Sequence, residues 1–140
     1  MRNLLVLLIL VFTSSVAWSA EPGGKVEQWY KADLALIDVT LTDDQGDQTF
    51  FYLNSRGHAT FRLNGQEKKG AITLAKDKAA AAFVQHIYSL PAEKMPQTKI
   101  SAHIQRRIGN DTEHLIRYYA SADEAKALRA LIDAVAKGIK

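Results

Sequence analysis

Residues 37–65, IDVTLTDDQGDQTFFYLNSRGHATFRLNG, decide the fold. Ile37, Val39 and Leu41 alternate with Asp38, Thr40 and Thr42, the period of two that marks a half-buried strand. Asp43-Asp44-Gln45-Gly46-Asp47 is turn chemistry, since aspartate side chains bond to their own backbone nearby. A second strand covers residues 48–54, with Phe50, Phe51 and Tyr52 in succession. Bulk then falls on both faces: one is core, and the other lies under a helix or forms an exposed binding stripe. Asn54-Ser55-Arg56-Gly57 turns the chain into a third strand, where Ala59, Phe61 and Leu63 alternate with His58, Thr60 and Arg62. Asn64-Gly65 predicts a type I′ hairpin into a fourth strand over residues 67–74.

Beyond this meander the period changes. Ala80, Phe83, Val84 and Ile87 fall at i, i+3, i+4 and i+7, one stripe of a helix with Asp77 near its start and Pro91 after its end. Residues 100–108 and 112–119 predict a second hairpin around Gly109-Asn110-Asp111. Ile100, Ala102, Ile104 and Ile108 face inward, Ser101, His103, Gln105 and Arg107 face outward, and Arg106 interrupts the inward series. A last helix is marked by the capping box Ser121–Glu124, the stripe Leu128, Leu131, Ile132 and Val135, and Gly138 at its end. The expected fold is α+β: an antiparallel sheet in the order ββββ-α-ββ-α, with two helices packed on one face.

Working toward the N-terminus, residues 1–20 read as a cleavable secretory signal. Arg2 supplies the positive charge, residues 4–12 are an unbroken apolar run, and Ala17-Trp18-Ser19-Ala20 matches the cleavage pattern. That run is shorter than the roughly 20 apolar residues a spanning helix needs, so no stable membrane insertion is expected after cleavage. Residues 21–140 are then a single small domain, with 21–25 a flexible lead-in and order beginning near Trp29-Tyr30. Export to a periplasm fits, and it discounts nucleic acid as a partner. Cysteine is absent, so the domain is held by packing alone and has no thiol catalysis or thiolate metal site. Net charge falls by one, from +3 to +2, once Arg2 leaves with the signal. Locally the chain divides: Asp33, Asp38, Asp43, Asp44 and Asp47 make the first strands acidic, and Lys99, Arg106, Arg107 and Arg117 make the later hairpin basic.

No catalytic constellation emerges. His58, His86, His103 and His114 lack metal-ligand spacing, and with a three-residue loop at 109–111 His103 and His114 point to opposite faces. The serines have no nucleophile-elbow context, and Asp43–Asp47 lacks the ligand order of a calcium loop. No metal, cofactor or enzymatic activity is therefore expected. The candidate binding site is Lys99, His103, Arg107, Arg117, Tyr118 and Tyr119, because arginine and tyrosine carry much of the binding energy at interfaces. The same register would make Arg107–Glu113 a cross-strand pair. These features predict a non-catalytic exported binding protein, such as an inhibitor, an immunity protein or an envelope accessory factor. Its expected partner is an envelope or secreted protein with an acidic patch. The competing expectation is a carrier for a small apolar or anionic ligand held between sheet and helices, lined by Phe50, Tyr52, Phe61 or Phe83.

Overall fold

The alternation read at residues 37–41 is realised in a computed structural model that describes residues 23–92 and 94–140. The proposed signal lies outside the described residues. Nine elements follow: α1 Gly23–Lys31, β1 Ala35–Thr42, β2 Gln48–Asn54, β3 His58–Leu63, β4 Gln66–Ala71, α2 Lys78–Ser89, β5 Ile100–Ile108, β6 Asp111–Tyr119 and α3 Ala122–Ala136. The strands form one antiparallel sheet in the order β4-β3-β2-β1-β5-β6, so the meander and the later hairpin meet along β1 and β5. None of the described helices is long and apolar enough to cross a membrane.

The fold is α+β, with three helices among the described residues where two were expected. Residues 23–31 form α1 in place of a flexible lead-in, and its Trp29 is fully buried. The α1 helix packs against α2, and α2 against α3. Alternate residues of the central strands face this layer: Ile37, Val39 and Leu41 from β1, Phe51 and Leu53 from β2, Ala102 and Ile104 from β5. The Phe51 and Phe83 rings meet edge to face at 5.0 Å between β2 and α2. On α3 the buried stripe is Ala125, Leu128, Ile132, Val135 and Ala136, while Leu131 is half-buried at its margin.

Both long helices are tied at each end by side chains. The Asp77 carboxylate accepts the Ala80 N–H (2.9 Å) and Ser121 Oγ accepts the Glu124 N–H, while Glu124 reaches back to the Ala120 N–H (3.0 Å). At the other ends, cations rise from the helix-facing side of the sheet. Lys68 of β4 donates to the Ala136 carbonyl (3.2 Å), and Arg106 of β5 to those of Ile87 (2.8 Å) and Leu90 (3.0 Å). Arg106 therefore belongs to the inward series. It is 8% exposed, pairs with Glu113 and lies over the Tyr88 ring.

The two hairpin turns fix the registers. Asn64 and Gly65 both have positive φ, as a type I′ turn requires. The β5–β6 loop has two residues, not three: Ile108 opposes Asp111, and Gly109 alone takes positive φ (+58°) at the first central position. This shifts β6 by one residue from the expected pairing. Arg106, not Arg107, opposes Glu113, and Leu115, not Ile116, opposes Ile104.

Candidate functional site

Because the three described helices pack on one side, the other face of the sheet is uncovered among the described residues. Cross-strand pairing builds that face in rows. One row runs Lys69, Thr60, Tyr52, Asp38, Gln105, His114 from β4 to β6. The next runs Glu67, Arg62, Phe50, Thr40, His103, Ile116. A third carries Asn54, Leu36 and Arg107 across β2, β1 and β5, and the Asn54 side chain ties in the His58 amide at the start of β3. The aromatic strand thus serves both layers: Phe51 is core, and Phe50 and Tyr52 stand half-buried on the uncovered face. The Arg62 guanidinium lies 5.2 Å from the Phe50 ring centroid while donating to Glu67, so this cation is already engaged.

The six expected binding residues are divided by the sheet. His103, Arg107 and Tyr118 lie on the uncovered face, and Lys99 is exposed just before β5. Arg117 and Tyr119 lie on the helix side instead, opposite Ala102 and Ile100. Tyr119 is buried, and Arg117 donates to the Met95 thioether. The cause is the two-residue loop, because a one-residue slip carries every side chain of a strand to the opposite face. The same slip puts His114 on the uncovered face with His103. Among the described residues, no group of three or more histidines and carboxylates is placed to hold a metal.

Arg107 borders a shallow hollow of about 190 Å³ at one end of this face, with Leu36, Tyr52, Asn54, Arg56 and His58. Its Nε donates to the Gly109 carbonyl (2.6 Å), which holds the guanidinium at the rim, and its remaining N–H groups have no hydrogen-bond partner among the described residues. Asn54 accepts from the Arg56 and His58 amides, fixing the turn that brings those two side chains to the same hollow. Leu34, 58% exposed, supplies an apolar wall. Of the four aromatics expected to line a pocket, Phe50 and Tyr52 lie on this side, Phe61 lies on the helix-facing side, and Phe83 on α2 packs onto Phe51. Tyr52 borders the hollow at Arg107, and Phe50 borders another beside Arg62 and Asn64.

Sequence reasoning passed over Asp38. Its alternation with Ile37 and Val39 placed it outward, but not at the centre of the widest part of the sheet, between Tyr52 and Gln105. Partial burial raises its pKa above the ordinary value, and the nearby His114 only partly opposes this. No side chain among the described residues donates a hydrogen bond to it. Its ionisation therefore disfavours the fold at neutral pH, and the penalty vanishes once pH falls below the unfolded-state value. Asp38→Asn is expected to raise the urea midpoint at pH 7 by less than about 1 kcal/mol equivalent, since the site is partly solvated. The difference should disappear near pH 3. A destabilised variant at pH 7 would mean that the carboxylate has a favourable partner.

No family model matches the chain, and no curated protein matches it either, so the site stands on its own geometry.

Proposed function

We propose that this chain is an exported, non-catalytic binding protein that docks a protein partner on the uncovered face of its sheet. Processing of residues 1–20 and a periplasmic location belong to the same proposal. One observation carries it: a six-stranded face that no described element covers, on which Phe50, Tyr52, Tyr118 and Leu36 stand among polar and cationic side chains. Monomeric domains seldom leave such a surface unused, and its mixture of aromatic anchors with a polar surround is that of an interface. His103, Arg107 and the preceding Lys99 bias its β5 side toward a partner with an acidic patch. An inhibitor or immunity protein and an accessory factor of the envelope both act in this way.

A partner captured from envelope extract supplies the test. The double variant His103→Glu, Arg107→Glu should slow association by about tenfold at low salt and reverse its salt dependence, because charges at a rim act mainly by steering. Lys126→Glu, an exposed change on α3, should leave both unchanged. Equal effects from the two proteins, or none from the double variant, would remove this face as the site.

A second reading, carriage of a small anion, is supported by the hollow at Arg107. Calorimetric titration with inorganic phosphate and small carboxylates separates it from the first: heat that is lost in Arg107→Gln would favour the small ligand.

A further inference from the structure

The sheet has two edges, and they are finished differently. On the β4 side, Ala71 exchanges both backbone hydrogen bonds with Lys140 (3.1 Å each), so a short terminal segment closes part of that edge. β6 is a nine-residue edge strand that pairs with β5 alone, and among the described residues no other backbone group bonds to it. Long open edges recruit another strand unless they are interrupted, and β6 contains no proline, glycine or lysine.

The hydrogen-bond pattern of β6 follows from its turn. In a two-residue hairpin the closing pair, Ile108 and Asp111, exchanges both backbone bonds, so alternate residues of β6 bond inward to β5. Thr112, His114, Ile116 and Tyr118 consequently aim their N–H and C=O groups outward. Ile116, 41% exposed, is one of the few large apolar side chains left open to water.

We propose that the free edge of β6 is the two-fold interface between two copies of this chain, joined antiparallel about Leu115 into one continuous twelve-stranded sheet. The strand is complementary to its own reverse. With Leu115 opposite the partner's Leu115, Glu113 stands opposite the partner's Arg117, and this pair occurs twice. His114 meets the partner's Ile116 and Thr112 the partner's Tyr118 at the positions whose backbone groups face outward, so the ladder closes in this register. The charged pairs fall at the intervening positions, where side chains approach most closely. A two-fold contact is isologous, so one strand must serve as both halves, and this one does.

Within one copy the two charges are only partly served. Glu113 is 59% exposed and gives one oxygen, Oε2, to Arg106, leaving Oε1 available. Arg117 donates to a thioether, a weak acceptor, and its Nε is buried without a hydrogen-bond partner among the described residues. A register centred on His114 would set two histidines against each other, and one centred on Ile116 would set Arg117 against Leu115. Neither pairs Glu113 with Arg117.

Sedimentation of residues 21–140 over a concentration series tests the interface, and cysteine cross-linking tests its register. The chain is expected to sediment as a dimer that dissociates on dilution. Arg117→Glu, which turns both charged pairs repulsive, should weaken association on the order of tenfold or more. Because the chain has no cysteine of its own, Leu115→Cys should give a disulfide-linked dimer under mild oxidation, whereas His114→Cys and Ile116→Cys should not. Circular dichroism of each variant reports whether the fold is retained. A protein that stays monomeric at its highest soluble concentration overturns the proposal. So does cross-linking at 114 or 116 in place of 115, or a folded Arg117→Glu chain that associates as tightly as the parent.

Discussion

Trp29→Ala is expected to cost about 3–5 kcal/mol of folding stability, the range for removing a large aromatic from a close-packed core. Trp29 has no solvent-exposed surface, although it lies on a nine-residue helix beginning at two glycines. Such a helix is marginal by itself, because nucleation consumes most of what so few hydrogen bonds return. Tertiary contacts must therefore hold it. Val26 and Tyr30 pack on the same core beside Trp29, and the Ser55 hydroxyl donates to the Ala32 carbonyl (2.9 Å), fastening the α1–β1 link to the β2–β3 turn. Loss of the indole should release α1 as well as leave a cavity. Urea unfolding measures the overall cost, and amide exchange of residues 26–31 the release of α1. A variant within about 0.5 kcal/mol of the parent would return α1 to the status of a surface appendage.

The reason α1 escaped the sequence reading lies in the weight given to Pro22-Gly23-Gly24. Those residues signal a loop by propensity, yet Val26, Trp29 and Tyr30 fall at i, i+3 and i+4, the stripe that defined the other two helices. Propensity is a weak prior, and packing overrode it. The β1–β4 meander was legible because each strand alternates without ambiguity and its turns carry residues suited to them. The last strand was not. Leu115 and Ile116 are adjacent apolar residues, as are Tyr118 and Tyr119, so the pattern of β6 fits either face equally well. Its register rests on whether Gly109 sits first in a two-residue loop, and that decides which of Arg117, Tyr118 and His114 reach the uncovered face. Half of the candidate site changed sides on that single point. The uncovered face itself has no sequence signature, since polar alternation reads the same whether water or a partner lies beyond it.

Arg106 and Arg107 offer the sharpest contrast between neighbours. Arg106→Met should destabilise the protein by about 3 kcal/mol, while Arg107→Met should stay within about 0.5 kcal/mol. The two are adjacent in β5 and project from opposite faces. Arg107 stands at a solvent-lined rim and bonds one carbonyl of its own turn. Arg106 is enclosed, and its guanidinium serves Ile87, Leu90 and Glu113 together. Removing it does not strand a buried charge, because Glu113 is exposed enough to return to water. The cost arises instead at the end of α2, where two carbonyls lose a charged donor in a place that water reaches poorly. Methionine keeps much of the packing volume, so the measured loss isolates those bonds from a cavity. Tyr88, whose ring lies under the guanidinium, gives a second readout. Burial pushes its hydroxyl up to about 12, with Arg106 opposing that rise and Glu113 adding to it. Loss of the cation should raise it further, so alkaline titration of the tyrosines would show ionisation delayed in Arg106→Met and unchanged in Arg107→Met. Equal stability of the two variants would mean that α2 is held at its C-terminus by packing alone.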